Sequence, residues 1–143
     1  MKLEALPEAI IDDFRKYTED KCEKIDKAVR KRTAEAEEDI RANSPVRKRV
    51  PKSGVVMVKG VAKDNYQPGA YKKGWITYIS TAREGRTQGY VRNKTNYQIT
   101  HLLERGHKAR NGAPVKAIEH IIPAETQARK KLAEDIDRIL SEE

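Results

Sequence analysis

An α+β fold is predicted for this chain, with a long N-terminal helix, a small antiparallel β-sheet, a short helix and a C-terminal helix. Three observations lead to this prediction: apolar residues at helical spacing over residues 7–40, two β-prone runs joined by a short polar connection, and a second helical repeat near the C-terminus. The length of 143 residues corresponds to one domain. Apolar residues make up 37% and charged residues 36%, so the core should be small.

Residues 1–43 are predicted to form one long helix. Pro7 suits the first helical turn, and "NSP" at residues 43–45 ends the helix. At about 1.5 Å per residue the rod is about 50 Å long, and a small domain cannot cover one whole face of it. Part of the apolar stripe, which has a polar break at Lys21, is therefore expected to project or to pack on another chain. The stripe consists of Ile10, Phe14, Tyr17, Ile25, Val29, Ala36 and Ile40.

Residues 44–69 are interpreted as a basic arm. They begin with "SPVRKRVPKSG", continue with a short β-prone run, "VVMVKGV", and end in a turn at "NYQPG". Such a segment is expected to become ordered only on assembly, against an acidic neighbour or DNA. Its densest basic cluster is Arg47, Lys48, Arg49 and Lys52.

Residues 70–143 are predicted to form the α+β core. The aromatic and β-branched content of "AYKKGWITYISTA" marks a strand over residues 73–81. "REGR" then connects it to a returning antiparallel strand, "TQGYVRN". Trp75, at the start of the first strand, is the large anchor of the core, and Tyr90 on the second strand is expected to anchor the sheet.

A short helix over residues 97–105 follows. Thr95 and Gln98 fit a capping box, in which each side chain bonds a free backbone amide. Leu102 and Leu103 should be buried, and Gly106 stands where a left-handed C-cap is expected. Residues 107–114 read as an exposed loop. A last helix begins at Pro123 and carries Ala128, Leu132, Ile136 and Leu140 at a spacing of four.

The net charge of +8 is unevenly distributed along the chain. Residues 1–43 carry −2 and residues 117–143 carry −3, whereas residues 44–116 hold 16 Lys and Arg against 3 Asp and Glu, a net +13. A block of this kind repels itself unless something acidic lies beside it, either a protein partner or nucleic acid. A basic surface that serves solubility alone is the plainer alternative.

The sequence offers little chemistry. His101, Glu104 and His107 are the only constellation that resembles a metal site, but H-E-x-x-H is absent. The plainer interpretation makes His101 a helix surface residue and His107 a loop residue. The one cysteine, Cys22, lies among acids that raise a thiol pKa, and it excludes an internal disulfide. No enzyme activity and no cofactor are therefore expected.

Several segments occur in an order that resembles a known family: "SPV" (residues 44–46), "AYKKGW" (70–75), "VRNKTNYQITHLLERGH" (91–107), "NG" (111–112) and "HIIPA" (120–124). Together they resemble the minor structural proteins that join head to tail in long-tailed bacteriophages, the head–tail joining or tail-completion family. The resemblance covers residues 44–140. In that family "SPV" runs almost directly into "YKKGW", whereas here residues 47–69 intervene. The position of the arm cannot therefore be carried over from the family.

The resemblance implies a non-enzymatic virion protein that forms a ring in the neck, between the head connector and the tail. The implied partners are further copies of the chain in a six- or twelve-fold ring, the head-completion or connector protein, the tail-terminator or tail-tube protein, and channel DNA bound non-specifically. No apolar run approaches the about 20 residues that cross a bilayer, and acids near the N-terminus argue against a signal peptide. Assembly in the cytoplasm of a bacterial host is therefore expected.

The alternative to a neck protein is a stand-alone basic nucleic-acid-binding protein. For this function Tyr90 beside Arg92 and Tyr97 near Lys94 are the nearest approach to a stacking platform.

The residues expected to matter fall into two groups. Candidates for an assembly or DNA contact are Arg47, Lys48, Arg49, Lys52, His107, Lys108, Arg110 and Asn111, and candidate structural anchors are Trp75, Tyr90, Tyr97, Leu102, Leu103, Gly106 and Pro123.

Overall fold

The computed structural model describes residues 8–46, 56–58, 61–63, 69–83 and 86–142. It has the α+β fold expected from the sequence. The basic cluster of the arm, Arg47 to Lys52, lies outside the described residues. In chain order the elements are α1 (Glu8–Asn43), β1 (Val56–Val58), β2 (Val61–Lys63), α2 (Ala70–Lys73), β3 (Trp75–Arg83), β4 (Arg86–Asn93), a 3-10 turn (Tyr97–Ile99), α3 (Thr100–Arg105), β5 (His107–Lys108), β6 (Pro114–Val115) and α4 (Ile122–Ser141).

The two long helices, α1 and α4, lie against each other in opposite directions. Lys21 on α1 meets the C-terminal end of α4, where its Nζ donates to the carbonyl oxygens of Ile139 and Glu142, both at 2.6 Å. Further along, the guanidinium of Arg32 pairs with the carboxylate of Asp135 at 2.7 Å. The polar break at Lys21 is therefore a buried contact, because the ammonium satisfies carbonyl groups that the end of a helix leaves unpaired.

Strands β3 and β4 form an antiparallel ribbon whose register pairs Trp75 with Asn93 and Tyr78 with Tyr90. Gly89 on β4 lies directly on α1: a Cβ at this position would come within 2.8 Å of the Cβ of Thr33. A helix can approach a strand this closely only where no side chain intervenes. Since successive side chains alternate, Gly89 faces α1 and Tyr90 faces away from it.

The core lies where α1, the start of the ribbon and the start of α4 meet. Its buried members are Ile40, Tyr71, Trp75 and Ala124, with Val91, Leu103 and Ile121 packed around them. Trp75 is only 2% exposed, as expected of the principal anchor. Leu103 packs against this core, whereas Leu102 is half-buried, and Pro123 lies exposed in the first turn of α4.

Two of the expected anchors are not anchors. Tyr90 is 48% exposed and Tyr97 is 64% exposed. The strand alternation that turns Gly89 toward α1 turns Tyr90 outward, and Tyr97 lies in a 3-10 turn that buries none of its residues. Both expectations of an anchoring role were wrong, because neither side chain reaches the core.

The expected caps of the short helix also differ. The capping box does not form: the Thr95 N–H donates to Asn93 Oδ1 instead of to Gln98, and the Thr95 hydroxyl lies within hydrogen-bonding distance of Asn93 Oδ1 and the Ala70 carbonyl. Gly106 has φ 74° and ψ 169°, a positive φ but not the left-handed helical conformation. A Cβ there would lie 2.6 Å from the carbonyl oxygen of Val115. Glycine is therefore required at this position for both its φ and the close approach.

Replacing Trp75 by Ala is expected to lower the free energy of unfolding by about 3–5 kcal/mol, because a large side chain leaves a cavity at the centre of the core. Urea unfolding of the variant and the wild type measures the loss. The ring is held by its Nε1, which donates to Ser44 Oγ at 2.8 Å. Trp75→Phe should therefore keep part of the packing, so its free energy of unfolding should lie between those of Trp75→Ala and the wild type. Equal stability of Trp75→Ala and the wild type would contradict the assignment.

Candidate functional site

The constellation that resembled a metal site does not assemble. His101 and His107 are exposed, whereas Glu104 is buried and turned toward the start of α4. Among the described residues no group of three or more His, Cys, Asp or Glu side chains is placed to hold a metal ion. Glu104 has a different role, which its helix neighbours in the sequence do not indicate.

The Glu104 carboxylate caps the N-terminus of α4. Its Oε2 accepts from the backbone N–H groups of His120 at 2.9 Å and Ile121 at 3.0 Å, and its Oε1 accepts from Ile122 at 2.8 Å. These N–H groups have no partner within the helix, and the positive end of the helix dipole favours the anion. Burial alone would raise the pKa of Glu104, but the three backbone hydrogen bonds and nearby His120 outweigh it and hold the pKa below its ordinary value of 4.5.

His120 extends this contact into a buried polar network. Its Nδ1 lies 2.6 Å from the Ile118 carbonyl oxygen, which can only accept, so Nδ1 carries a proton. Its Nε2 lies 2.7 Å from the hydroxyl of Tyr71, so with a neutral ring the tyrosine donates to it. Burial, together with the negative charge of Glu104, raises the pKa of Tyr71 to about 12.

Asn93 joins the ribbon to the same network. Its Nδ2 donates to the Tyr71 carbonyl at 2.7 Å, and its Oδ1 accepts from the backbone N–H groups of Thr95 and Asn96. Asn93 is 2% exposed, so these bonds compensate for the cost of burying its amide. One side chain thus fixes both the single turn of α2 and the chain leaving β4.

A glutamate, a histidine and a tyrosine in contact resemble a catalytic arrangement, but they are closed to solvent. His120 is 1% exposed, Glu104 6% and Tyr71 8%. The rings of Tyr71, Trp75 and His120 pack edge to face, with centroids 5.5–6.0 Å apart. A substrate would have to open the core to reach these groups, so the arrangement is suited to fixing the fold.

A groove of about 650 Å³ lies elsewhere, between α1, β4 and α4. Its lining is mainly apolar, including Val29, Ala36 and Leu132. The charged groups that line it are already paired, because Arg32 binds Asp135 and Arg129 binds Glu125 at 2.7 Å. Groups paired in this way are poorly suited to acid, base or nucleophilic chemistry.

The exposed surface from α2 to the segment before α4 is mainly basic. Glu104 is the only acid between residues 85 and 118, and its carboxylate is used in the cap of α4. Within the part of the chain that the structure describes, none of the basic residues of this surface forms a salt bridge with an acid. They are Lys72, Lys73, Arg92, Lys94, Arg105, Lys108, Arg110 and Lys116.

The expected loop at residues 107–114 is a small hairpin. His107 pairs with Val115 and Lys108 with Pro114, and the Ala109 N–H donates to the Ala113 carbonyl at 2.7 Å. The Asn111 side chain accepts from the Ala113 N–H at 3.1 Å. The side chains of His107, Lys108, Arg110 and Asn111 are exposed, and the paired backbone fixes the positions from which they project.

Sequence reasoning missed Tyr71, Asn93 and His120, and it gave Glu104 the wrong surroundings. One usable signal was the isolation of Glu104 within a long basic stretch, since a lone acid often has a specific partner. The partner itself could not be read from the sequence, because Glu104 and the start of α4 are 18 residues apart at their most distant hydrogen bond.

The comparisons add no family to these observations: no protein-family model, curated protein or solved structure matches the chain. Among the described residues, no helix has the length and apolar character needed to span a membrane.

Glu104→Gln is expected to lower the free energy of unfolding by about 1–3 kcal/mol at neutral pH, because an amide cannot accept at both ends and leaves a buried N–H group unpaired. The folded-state pKa of Glu104 is lowered, so its contribution is complete above 4.5 and is lost as the pH falls through the folded-state value.

Urea unfolding across this pH range tests the assignment. The wild type should converge toward the Glu104→Gln variant as the pH falls. Glu119→Gln, one residue before the cap and exposed, is the matched control and should follow the wild type. Parallel curves for the wild type and Glu104→Gln from neutral to acidic pH would contradict the cap.

Proposed function

We propose that the chain is a non-enzymatic structural protein of the phage neck, which forms a ring joining the head connector to the tail. The proposal begins from the sequence resemblance to the head–tail joining family. One structural observation carries it further: the main segments that show the resemblance meet in one buried network. "SPV" supplies Ser44, and "AYKKGW" supplies Tyr71 and Trp75. The segment at residues 91–107 supplies Glu104, and "HIIPA" supplies His120.

This convergence supports the proposal because it gives one physical reason for the presence of the motif residues, namely that they hold the same buried network together. Ser44 accepts from the Trp75 indole, Tyr71 bonds His120, and His120 bonds Glu104 through its backbone N–H. These hydrogen bonds and ring contacts therefore hold together segments from distant parts of the chain. A motif of this kind specifies a fold, and the fold presents the surfaces used in assembly.

The closed network also supports a structural role over a catalytic one. The residues that would serve as acid and base are buried and hydrogen-bonded to one another. The surfaces left to act on are the basic face and the exposed hairpin at residues 107–115. Ring neighbours, connector and tail proteins, or DNA in the channel would supply the negative charge that the basic face lacks.

A stand-alone nucleic-acid-binding protein is the second candidate, and one observation favours it. Tyr90 and Tyr97 are exposed next to Arg92 and Lys94 instead of being buried in the core. Exposed aromatic rings among cations form the kind of surface on which bases stack. The basic face alone does not distinguish the two functions, because each uses positive charge.

A gel-shift titration at several salt concentrations separates the two candidates. A neck protein should bind short duplex or single-stranded DNA weakly, with little difference between Tyr97→Ala and the wild type. The rival predicts tight binding, a steep decrease in affinity with salt as counterions are released, and a clear loss in Tyr97→Ala.

The hairpin is expected to be an assembly contact. The double variant Lys108→Ala/Arg110→Ala should change the free energy of unfolding by less than about 0.5 kcal/mol for each residue, since both side chains are exposed. It should nevertheless reduce the yield of joined, infectious particles and leave filled heads and separate tails under the electron microscope.

The matched control is Lys31→Ala/Lys130→Ala, which removes the same charge from exposed helix positions. The control should give wild-type particle yields. A normal yield from the hairpin variant would show that the hairpin is not used, and normal particles in the complete absence of the protein would overturn the proposed function.

A further inference from the structure

Two apolar surfaces of this chain have no partner within the described residues. The first is the helix stripe, formed by Ile10, Phe14 and Tyr17 near the start of α1. The second is the ribbon face, formed by Tyr78 and Tyr90 on the side of the β3–β4 ribbon that is turned away from α1. Each lies beside charges of one sign.

The helix stripe continues the face of α1 that α4 covers. The C-terminal end of α4 lies beside Lys21 of α1. The Lys21 ammonium binds the last carbonyl groups of α4 and lies 5.1 Å from the ring centroid of Tyr17. Beyond this point Ile10 is 52%, Phe14 67% and Tyr17 47% exposed. Among the described residues nothing covers the apolar face of α1 beyond the end of α4, and such a face is typical of a helix that packs on another chain.

The charge around the helix stripe is negative. Residues 8–20 contain five acids and two bases, a net −3. Asp12 pairs with Arg15 at 3.9 Å, with both side chains more than 70% exposed, and Asp20 pairs with Lys24 at 3.3 Å. Glu8, Asp13 and Glu19 are exposed and form no salt bridge with another described residue, so they are available to a positively charged partner.

The ribbon face has the opposite charge. The rings of Tyr78 and Tyr90 lie side by side with centroids 6.2 Å apart, and they are 58% and 48% exposed. Arg92 follows Tyr90 by two residues and so lies on the same face. The described residues of β3 and β4 include no acid, so nothing within the ribbon offsets the charge of Arg92.

We infer that the helix stripe of one copy docks on the ribbon face of the next copy, an inference that rests on the proposed ring. The two surfaces match in character, since each is a short apolar row, and in charge, since one is acidic and the other basic. The helix segment is also short enough to lie along the ribbon. Residues 8–20 extend about 20 Å at about 1.5 Å per residue, and an eight- or nine-residue strand extends about 27–30 Å.

The contact must join different copies. Thr87, the second residue of β4, bonds Asp26 at 2.6 Å, and the Tyr78 and Tyr90 side chains of the ribbon face point away from α1. Asp26 lies nine residues along the continuous helix from Tyr17, the nearest residue of the stripe, about 14 Å at about 1.5 Å per residue, and a helix cannot fold back on itself. Pairing two stripes with each other would instead set acid against acid.

A stripe-to-ribbon contact uses a different surface on each copy, so it repeats from copy to copy and closes into a ring when the rotation allows. A symmetric contact, by contrast, would stop at a dimer. A ring needs a heterologous interface, and the helix stripe and the ribbon face are two different surfaces of the same chain that can form one.

Sedimentation of the full chain in reducing buffer, from micromolar to millimolar concentration, tests the inference. The wild type should self-associate. Phe14→Ala and Tyr90→Ala should each weaken association at least about tenfold, as the loss of a central aromatic anchor does. The matched controls, Ile122→Ala on α4 and Tyr97→Ala outside the ribbon, remove equally exposed side chains and should associate like the wild type.

Mixing the two defective variants gives the decisive result. Phe14→Ala keeps an intact ribbon face and Tyr90→Ala keeps an intact helix stripe, so an equimolar mixture should form a dimer with one copy of each. The mixture is made at a concentration at which neither variant associates alone. Native mass spectrometry with one variant labelled with nitrogen-15 identifies the mixed dimer, and circular dichroism checks that both variants remain folded.

Three results would overturn the inference: a wild type that stays monomeric at millimolar concentration, either variant associating like the wild type, or a mixture without mixed dimers. None of these affects the neck role if particles still require the protein. Conversely, stripe-to-ribbon rings that are absent from joined particles would overturn the neck role and leave the contact standing.

Discussion

The Glu104 carboxylate at the start of α4 is the interaction on which the arrangement of this chain depends. It gathers three N–H groups that a helix cannot satisfy by itself, and it places α3 against α4. It also sets the backbone position of His120, which in turn receives the Tyr71 hydroxyl. Since all of these groups are buried, removing one acceptor leaves several donors unpaired at once.

The network also explains how a lean core holds so many separate segments. Four buried residues, Ile40, Tyr71, Trp75 and Ala124, form its apolar centre. Around them, hydrogen bonds from Ser44, Asn93 and Glu104 fix the directions in which the chain enters and leaves. Apolar contact brings the segments together, and the polar bonds select one arrangement among those that contact alone would allow.

Sequence patterns predicted the elements well because periodicity is local. The helical spacing over α1, the β-branched run of β3 and the repeat in α4 each lie within one element, and each element is present. What the sequence could not give was the orientation of single side chains. Tyr90 is exposed because Gly89, its neighbour, is the residue pressed against Thr33, and nothing in the ribbon sequence states which of the two faces α1.

The same limit applies to the polar groups. Lys21 interrupts the apolar stripe in the sequence, yet in the structure it caps the C-terminus of a helix more than one hundred residues away. Glu104 was grouped with His101 and His107 by proximity along the chain, although its true partners begin at His120. Contacts between distant segments determine the roles of Lys21 and Glu104, and the spacing of residues along the sequence does not indicate such contacts.

The chain combines a closed interior with separate acidic and basic surfaces, a combination suited to assembly with copies of the same chain. A cryo-EM map of the neck of a joined particle is the most direct measurement. The account predicts a closed ring of this chain between connector and tail, with the start of α1 from each copy lying over the β3–β4 ribbon of the next. A neck without this chain, or one in which it occurs as isolated copies, would contradict the central claim.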